Sequence, residues 1–360
     1  MSHELYLQCY HLLSYFPEIS SWNVEKLQAC TQHLFQYTSE QTLSVSKILH
    51  DIHQTQTLCK LPQVPQRSKE WFDLRLNRLT ASDLAQALGK GKFGTRKQLL
   101  EKKAFPENVP FKVVPPLKWG TMFEEMGMRS YYEKVHTVHI HEFGLIPHPE
   151  IGCFGASPDG ITETGIMVEM KCPYNRKCTQ EVPEQYYLQI QGQLATCKLS
   201  ACDYVECYFE VYHDLTEYST LCSALGTREH GIILEFTKED GSYVYEYSPP
   251  DKTTEECVAW ANENVASTIQ MYPSYTFLKM TPWRLKHLFH TRVNFDEELW
   301  NTIVPTIYQF WKEVEETRER GPIIPVLSTS PNETVKRTLT LLDLEAKKKY
   351  RFIEDSDEEN

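Results

Sequence analysis

The sequence predicts an α/β fold: short strands brought together and enclosed by helices. Three observations predict it. A hairpin-like stretch from Phe154 to Cys172 lies near the middle of the chain, Cys202 to Tyr212 alternates as a strand does, and helically spaced apolar residues flank both. The chain has 360 residues, of which 41% are hydrophobic, enough for a sizeable core. Four parts are expected: a helical extension over 1–66, a core over 67–250, packed helices over 251–325 and a disordered charged tail over 326–360.

The extension is read from Leu5, Leu7, Tyr10, Leu12 and Leu13, then Leu27, Leu34 and Tyr37, in roughly helical register and closed by Pro62 and Pro65. The core opens at Ser68-Lys-Glu-Trp71, with Trp71, Leu74 and Leu79 forming an apolar side. Arg75 and Arg78 share that helix, and Thr80-Ala-Ser82 supplies hydroxyls where the next helix starts. An arginine and a hydroxyl at a helix N-terminus can seat a phosphate. An N-cap beside two solvated arginines is the plainer reading.

The loop from Gly89 to Gly94 and the helix after it carry Lys90, Lys92, Arg96 and Lys97. They form either a track for a nucleic-acid backbone or a solvated helix face. In Trp119-Gly120-Thr-Met-Phe-Glu124, the glycine is expected to start or precede a helix, with Glu124 one turn in. His136, His139 and His141 alternate with apolar residues, His139 and His141 on one strand face. This is better read as an outer strand surface than as a transition-metal site. That strand is expected to continue through Pro147 and Ile151 to Ala156.

The central stretch carries the chemistry. Ser157-Pro-Asp159-Gly160 leads through a turn expected over Gly160 to Gly165 into a strand of Ile166 to Cys172, with Glu169 and Lys171 on one face. Asp159 can face them, and its carboxylate and that of Glu169 would repel unless a hard divalent cation lay between them. An amine beside such a cation can position or activate a metal-bound water for phosphodiester hydrolysis. Gln189 and Gln193, four residues apart, share a helix face and suit orienting a water or a nucleotide. Two short strands within 229–248 and helices over Ala259–Met271 and Phe295–Arg320 complete the expected elements.

Asp159 followed by Glu169-Met-Lys171 resembles the signature of the PD-(D/E)xK nucleases. The surrounding words are similar to those of the lambda-type exonucleases, the YqaJ-like viral recombinase group. W-x-x-x-R…T-A-S, W-G-x-x-x-E, S-P-D-G…E-x-K-C-P and Y-x-x-Q-x-Q occur in that order between Lys69 and Glu210, in wording closer to the versions carried by viruses than to a restriction enzyme. The resemblance implies a restriction-endonuclease-like core, a mixed sheet flanked by helices. It implies Mg²⁺, or Mn²⁺ as a substitute, at Asp159 and Glu169, with Glu124 and the Met170 carbonyl as further ligands. It gives Lys171 the attacking water and Gln189 the orienting role, and it places a 5′-phosphate at Arg75, Ser82, Ser157 and either Arg176 or Lys177.

The activity so implied is 5′-to-3′ digestion of linear double-stranded DNA, leaving 3′ strands for recombination, with a single-strand annealing protein as partner. The oligomer is a monomer or a ring-shaped trimer. An endonuclease acting on RNA or internally on DNA, and a non-catalytic DNA-binding protein, are the alternatives.

The formal net charge of −12 argues against a general polyanion binder, though an acidic protein can still carry one basic track. Eleven irregularly spaced cysteines and no recognisable signal segment point to free thiols in a reducing compartment, the host nucleus or cytoplasm for a viral protein. No apolar run is long enough to suggest a membrane span. Lys347 to Arg351 followed by the acidic end suggests a nuclear import signal, a partner-binding tail or simple disorder, the plainest of the three, and Ser356 among acidic residues suggests a phosphorylation site.

Overall fold

The structure, a computed structural model, describes residues 45–108, 114–135, 138–226 and 228–322. The expected helices before residue 45, His136 and the charged tail lie outside these residues. Of the described residues, those up to Thr317 form one compact unit.

The unit begins with α1 (Val45–Cys59) and α2 (Lys69–Leu76). Ser68 caps α2, its hydroxyl accepting from the Trp71 amide at 3.2 Å. Next come β1 (Leu79–Thr80), a 3₁₀ turn over Ala81–Asp83, the four-residue α3 (Leu84–Ala87) and α4 (Arg96–Ala104). A reciprocal Thr95–Gln98 capping box starts α4.

Helix α5 (Pro115–Lys134) starts on two prolines, which suit the first helical positions because their missing N–H groups would be unpaired there anyway. This corrects the expected start at Gly120. The glycine lies inside α5, and Glu124 sits in the third turn rather than one turn in.

Strands β2 (Ile140–His141), β3 (Ile146–Pro147), β4 (Phe154–Ala156), β5 (Gly160–Thr162) and β6 (Met167–Lys171) follow. Two expectations change here. The path from the histidines to Ala156 is a hairpin, β3 antiparallel to β4, because the Phe154 N–H closes a turn on the Ile151 carbonyl at 2.8 Å. The hairpin that carries the expected catalytic residues is β5–β6, not a pairing of the strand before Asp159. Its turn is Glu163 to Ile166, with Gly165 at φ 86°. Pro158 lies in the connection where the chain leaves one sheet for the other.

The small sheet runs in the order β1-β4-β3. With β7 (Ala201–Val211), β8 (His230–Thr237), β9 (Tyr243–Tyr247) and β10 (Thr276–Asn294), the large sheet runs β2-β5-β6-β7-β10-β8-β9. Only β6 and β7 pair in parallel within it, the other neighbours being antiparallel. The expected mixed sheet flanked by helices is therefore present. β10 is a strand that the sequence analysis did not anticipate. It lies beyond residue 250 yet pairs with both β7 and β8.

A parallel pair needs a crossover, and α6 (Glu184–Cys197) supplies it between β6 and β7. Lys198, in the left-handed conformation at φ 53°, ends α6. Ile190 and Leu194 pack on Met167 and Tyr204 of the large sheet, whereas Leu188 and Ala195 join Leu79, Leu84 and Phe154 around the small one. A Cβ at Gly192 would meet Phe154 Cζ at 2.9 Å, so the helix lies close against β4. The opposite face of β6, through Val168 and Met170, packs on Met122, Phe123 and Met126 of α5. α7 (Leu215–Cys222), α8 (Thr254–Met271) and α9 (Glu297–Arg320) complete the unit, and Ile303, Ile307 and Phe310 of α9 pack around the small sheet.

Candidate active site

The crossover accounts for the first cluster. Alternation along β6 turns Met167, Glu169 and Lys171 toward α6 and leaves Val168 and Met170 facing α5. Glu169 is fully buried, and each of its oxygens is used. Lys171 Nζ and Gln189 Nε2 donate to Oε1, the latter at 2.7 Å, and Gln193 Nε2 donates to Oε2 at 2.7 Å. The buried carboxylate is thereby compensated by one cation and two amides, which its desolvation requires. Gln193 is a site residue that the sequence analysis passed over in favour of Gln189. The signal was the four-residue spacing, which puts both amides on the sheet-facing side.

Asp159 stands at the start of β5, with Oδ2 accepting the Met170 N–H at 2.8 Å. Burial pushes its carboxyl well above the usual range, with Glu169 and Glu124 adding to the rise and Lys171 opposing it. Burial alone would lower the Lys171 ammonium, but Glu169 and Asp159 more than offset this and hold it above its ordinary value. The two carboxylates thus favour the ammonium form of Lys171. Glu124 reaches the same place from α5, where Arg67 donates to its Oε2 at 2.6 Å.

Asp159, Lys171, Glu124, Trp71, Phe93, Arg176 and Tyr186 line one cavity of about 620 Å³. Lys171 Nζ and Arg176 Cζ lie 5.0 and 5.7 Å from the Tyr186 ring centroid, cations over an aromatic face.

The expected phosphate residues also meet. Arg75 donates to Ser82 Oγ at 2.9 Å and stacks over Trp71 at 4.2 Å, and the Trp71 indole N–H donates to Ser157 Oγ at 3.1 Å. Trp71 thus links the arginine pocket to the cavity that it lines. The helix behind this pocket is only a 3₁₀ turn and four residues, so the seat rests on the arginine and hydroxyls rather than on a helix end.

A buried pair supports the pocket. Lys103 Nζ bonds to Asp83 Oδ2 and to the Arg75 carbonyl, both at 2.9 Å, and Thr80 Oγ1 donates to the same Asp83 oxygen at 2.8 Å. Burial would raise the Asp83 carboxyl, but Lys103, Lys102 and Arg75 outweigh it and hold the group well below the usual range.

Of the two basic residues after β6, Arg176 lines the cavity and Lys177 is exposed. Arg176 pairs with buried Glu206, which also accepts from the Tyr204 and Tyr208 hydroxyls. The four residues of the expected track are not equivalent. Arg96 makes a two-pronged pair with Glu313 at 2.6 and 3.0 Å and so fastens α4 to α9. Lys90 pairs with Glu184 at 2.6 Å, Lys97 lies 3.9 Å from Glu101, and Lys92 is exposed beside Phe93, itself 87% exposed.

Among the described residues, no three His, Cys, Asp or Glu side chains converge as a ready-made metal cluster. His139 and His141 have ring centroids 4.6 Å apart and share a face as expected. Asp159 and Glu124 are oxygen donors on one open cavity, which fits a hard cation that keeps most of its waters. Glu169, expected as a metal ligand beside Asp159, is absent from the cavity lining, its oxygens bonded to Lys171, Gln189 and Gln193. Every cysteine among the described residues is a free thiol, and burial pushes that of Cys207 up to about 12. No described helix is long and apolar enough to cross a membrane.

Residues 70–200 match the YqaJ-like viral recombinase domain. The YqaJ-like region thus covers α2 to the end of α6, with Asp159, Glu169, Lys171, Gln189 and the arginine pocket all inside it. The chain is 24% identical over 344 residues to an uncharacterized protein of Acanthamoeba polyphaga mimivirus, which covers 83% of this chain and 62% of that protein. It is 29% identical over 177 residues to a protein of African swine fever virus, covering 41% of this chain and 50% of that one. The chain therefore spans between half and 62% of the length of these viral relatives.

Among solved structures it is similar to an alkaline exonuclease from Laribacter hongkongensis, with a TM-score of 0.43 and 20% identity over 76% of this chain and all of that one. A phage-related exonuclease from Haemophilus somnus gives a TM-score of 0.37 and 12% identity, over 66% of this chain and 94% of that one.

Proposed function

We propose that this protein is a metal-dependent deoxyribonuclease that digests linear double-stranded DNA from its 5′ ends, leaving 3′ single strands for recombination or repair of viral DNA. The observation that carries the reading is the link through Trp71. Asp159, Glu124 and Lys171 line one cavity together with Trp71, and Trp71 binds both Arg75 and Ser157. A catalytic centre and a terminal-phosphate pocket would then be neighbours, as release of nucleotides from an end requires. The YqaJ-like match over residues 70–200 supports the same reading.

Asp159 and Glu124 would hold Mg²⁺, or Mn²⁺ in its place, with the Met170 carbonyl as a further donor. A divalent cation bound there would polarise the phosphodiester and make a bound water more acidic. The other steps belong to the chain. Lys171, fixed on Glu169, presents an ammonium toward developing charge on the phosphate. Gln189 and Gln193 hold Glu169, and through it Lys171, in one orientation. Arg75, Ser82 and Ser157 take the 5′-phosphate, and Arg176 is the better placed of the two basic residues after β6 to assist. Such an enzyme would pass its 3′ strands to a single-strand annealing protein.

The test is digestion of linear duplex by the full chain with Mg²⁺, with Mn²⁺ and with chelator, beside Asp159→Asn. Metal-dependent release of nucleotides that Asp159→Asn abolishes is expected. Digestion that persists in chelator or in the variant would overturn the reading.

A further inference from the structure

Arg67 has no place in the sequence motifs. It precedes the capping residue of α2, its backbone is left-handed at φ 66°, and its guanidinium lies 2.6 Å from Glu124 Oε2. Its neighbours are pinned. The Gln66 side chain donates to the Phe143 and Pro158 carbonyls at 2.9 and 3.2 Å, and the Ser68 N–H reaches the Pro65 carbonyl at 3.2 Å. A residue other than glycine rarely holds a positive φ unless its surroundings impose it, so the chain is set to deliver this side chain to this glutamate.

The pair also divides two spaces. A second cavity of about 820 Å³ adjoins the catalytic one, and Gln66, Arg67, Thr121, Glu124 and Asp159 line both. The guanidinium therefore has open volume on either side into which it can swing. The side chains of Arg67 and Glu124 are 49% and 34% exposed, and partly exposed ion pairs are weak enough to exchange. Arginine stays charged at any working pH, so it competes with another cation for Glu124 rather than releasing it by losing a proton.

We propose that Arg67 is a built-in stand-in cation. It occupies Glu124 until a divalent ion takes that carboxylate, so that loading the site requires the Arg67 side chain to move aside into one of the two cavities. The inference rests on the metal reading of Asp159 and Glu124 given above.

Calorimetric titration of Mn²⁺ into the full-length protein tests it without measuring activity. Wild type is compared with Asp159→Asn, Arg67→Gly and Arg67→Lys. Glycine suits the left-handed backbone, so folding is spared, and Arg67→Asn serves as a second neutral variant because asparagine also tolerates that conformation. Mn²⁺ binding that depends on Asp159 and becomes about two- to fivefold tighter in Arg67→Gly and Arg67→Asn is expected, with Arg67→Lys near wild type. Asp159-dependent binding that is unchanged or weaker in both neutral variants would overturn the stand-in role and leave the metal site standing. Absence of Asp159-dependent Mn²⁺ binding in wild type would overturn both.

Discussion

Replacing Lys103 with methionine removes the one of three nearby cations that is hydrogen-bonded to Asp83, Lys102 and Arg75 acting on it without a hydrogen bond. The Lys103 side chain is 4% exposed and that of Asp83 is 15% exposed, with 2.9 Å between Nζ and Oδ2. At an effective dielectric of about 20, two unit charges at that distance attract by about 6 kcal/mol before desolvation is counted. Removing one partner leaves the other buried without its hydrogen-bonded partner, which costs about 3–5 kcal/mol. Lys103→Met and Asp83→Asn should each destabilise the protein by that order in urea unfolding. Changing both together, Lys103→Met with Asp83→Leu, removes both charges and should cost at least about 2 kcal/mol less than the two single costs added.

The same lysine supports the Arg75 carbonyl, and Asp83 anchors Thr80 next to Ser82. Lys103→Met should therefore also lessen any preference for 5′-phosphorylated ends. Single costs below about 1 kcal/mol, or strict additivity, would refute the reasoning.

Three further outcomes are expected. Lys171→Ala should slow DNA cleavage by on the order of 10²–10³-fold with little change in DNA affinity, measured by single-turnover digestion and filter binding. Arg96→Ala should lower stability by detaching α4 from α9, whereas Lys92→Ala should leave stability alone and reduce the salt slope of DNA binding by about one; the opposite pattern would return Arg96 to the DNA track. The Asp83 carboxyl is depressed in the folded state, so its contribution is complete above the unfolded carboxylate value near 4 and lost as pH falls below it. Melting curves should show wild type losing stability more steeply than Asp83→Asn between about pH 4 and pH 2.

Much of this site is legible from the residues because its chemistry sits on regular elements. Alternation places Glu169 and Lys171 on one strand face, and four-residue spacing places Gln189 and Gln193 on one helix face. Arg75, Ser82 and Ser157 are brought together as their motifs imply. What escapes is tertiary. β10 carries Pro282 in its interior, a residue that discourages a strand assignment, and both its pairings contain register shifts. The start of α5 was misplaced because Gly120 reads as a helix boundary, whereas Pro115 and Pro116 set it. Arg96 reads as a surface cation until α9, more than 200 positions away, brings Glu313 to it. Arg67 and Lys103 have no signal in local pattern, since each acts through a partner distant in sequence.

The central claim is that Trp71 brings a seat for a terminal phosphate next to the cavity that Asp159, Glu124 and Lys171 line. The most direct measurement compares digestion, with Mg²⁺, of linear duplex carrying 5′-phosphate, linear duplex carrying 5′-hydroxyl and a closed circle, by wild type and Arg75→Ala. The account predicts loss of the phosphorylated linear DNA, a spared circle, and a phosphate preference that Arg75→Ala removes. Cutting of the circle, or equal digestion of both linear ends by wild type, would contradict it.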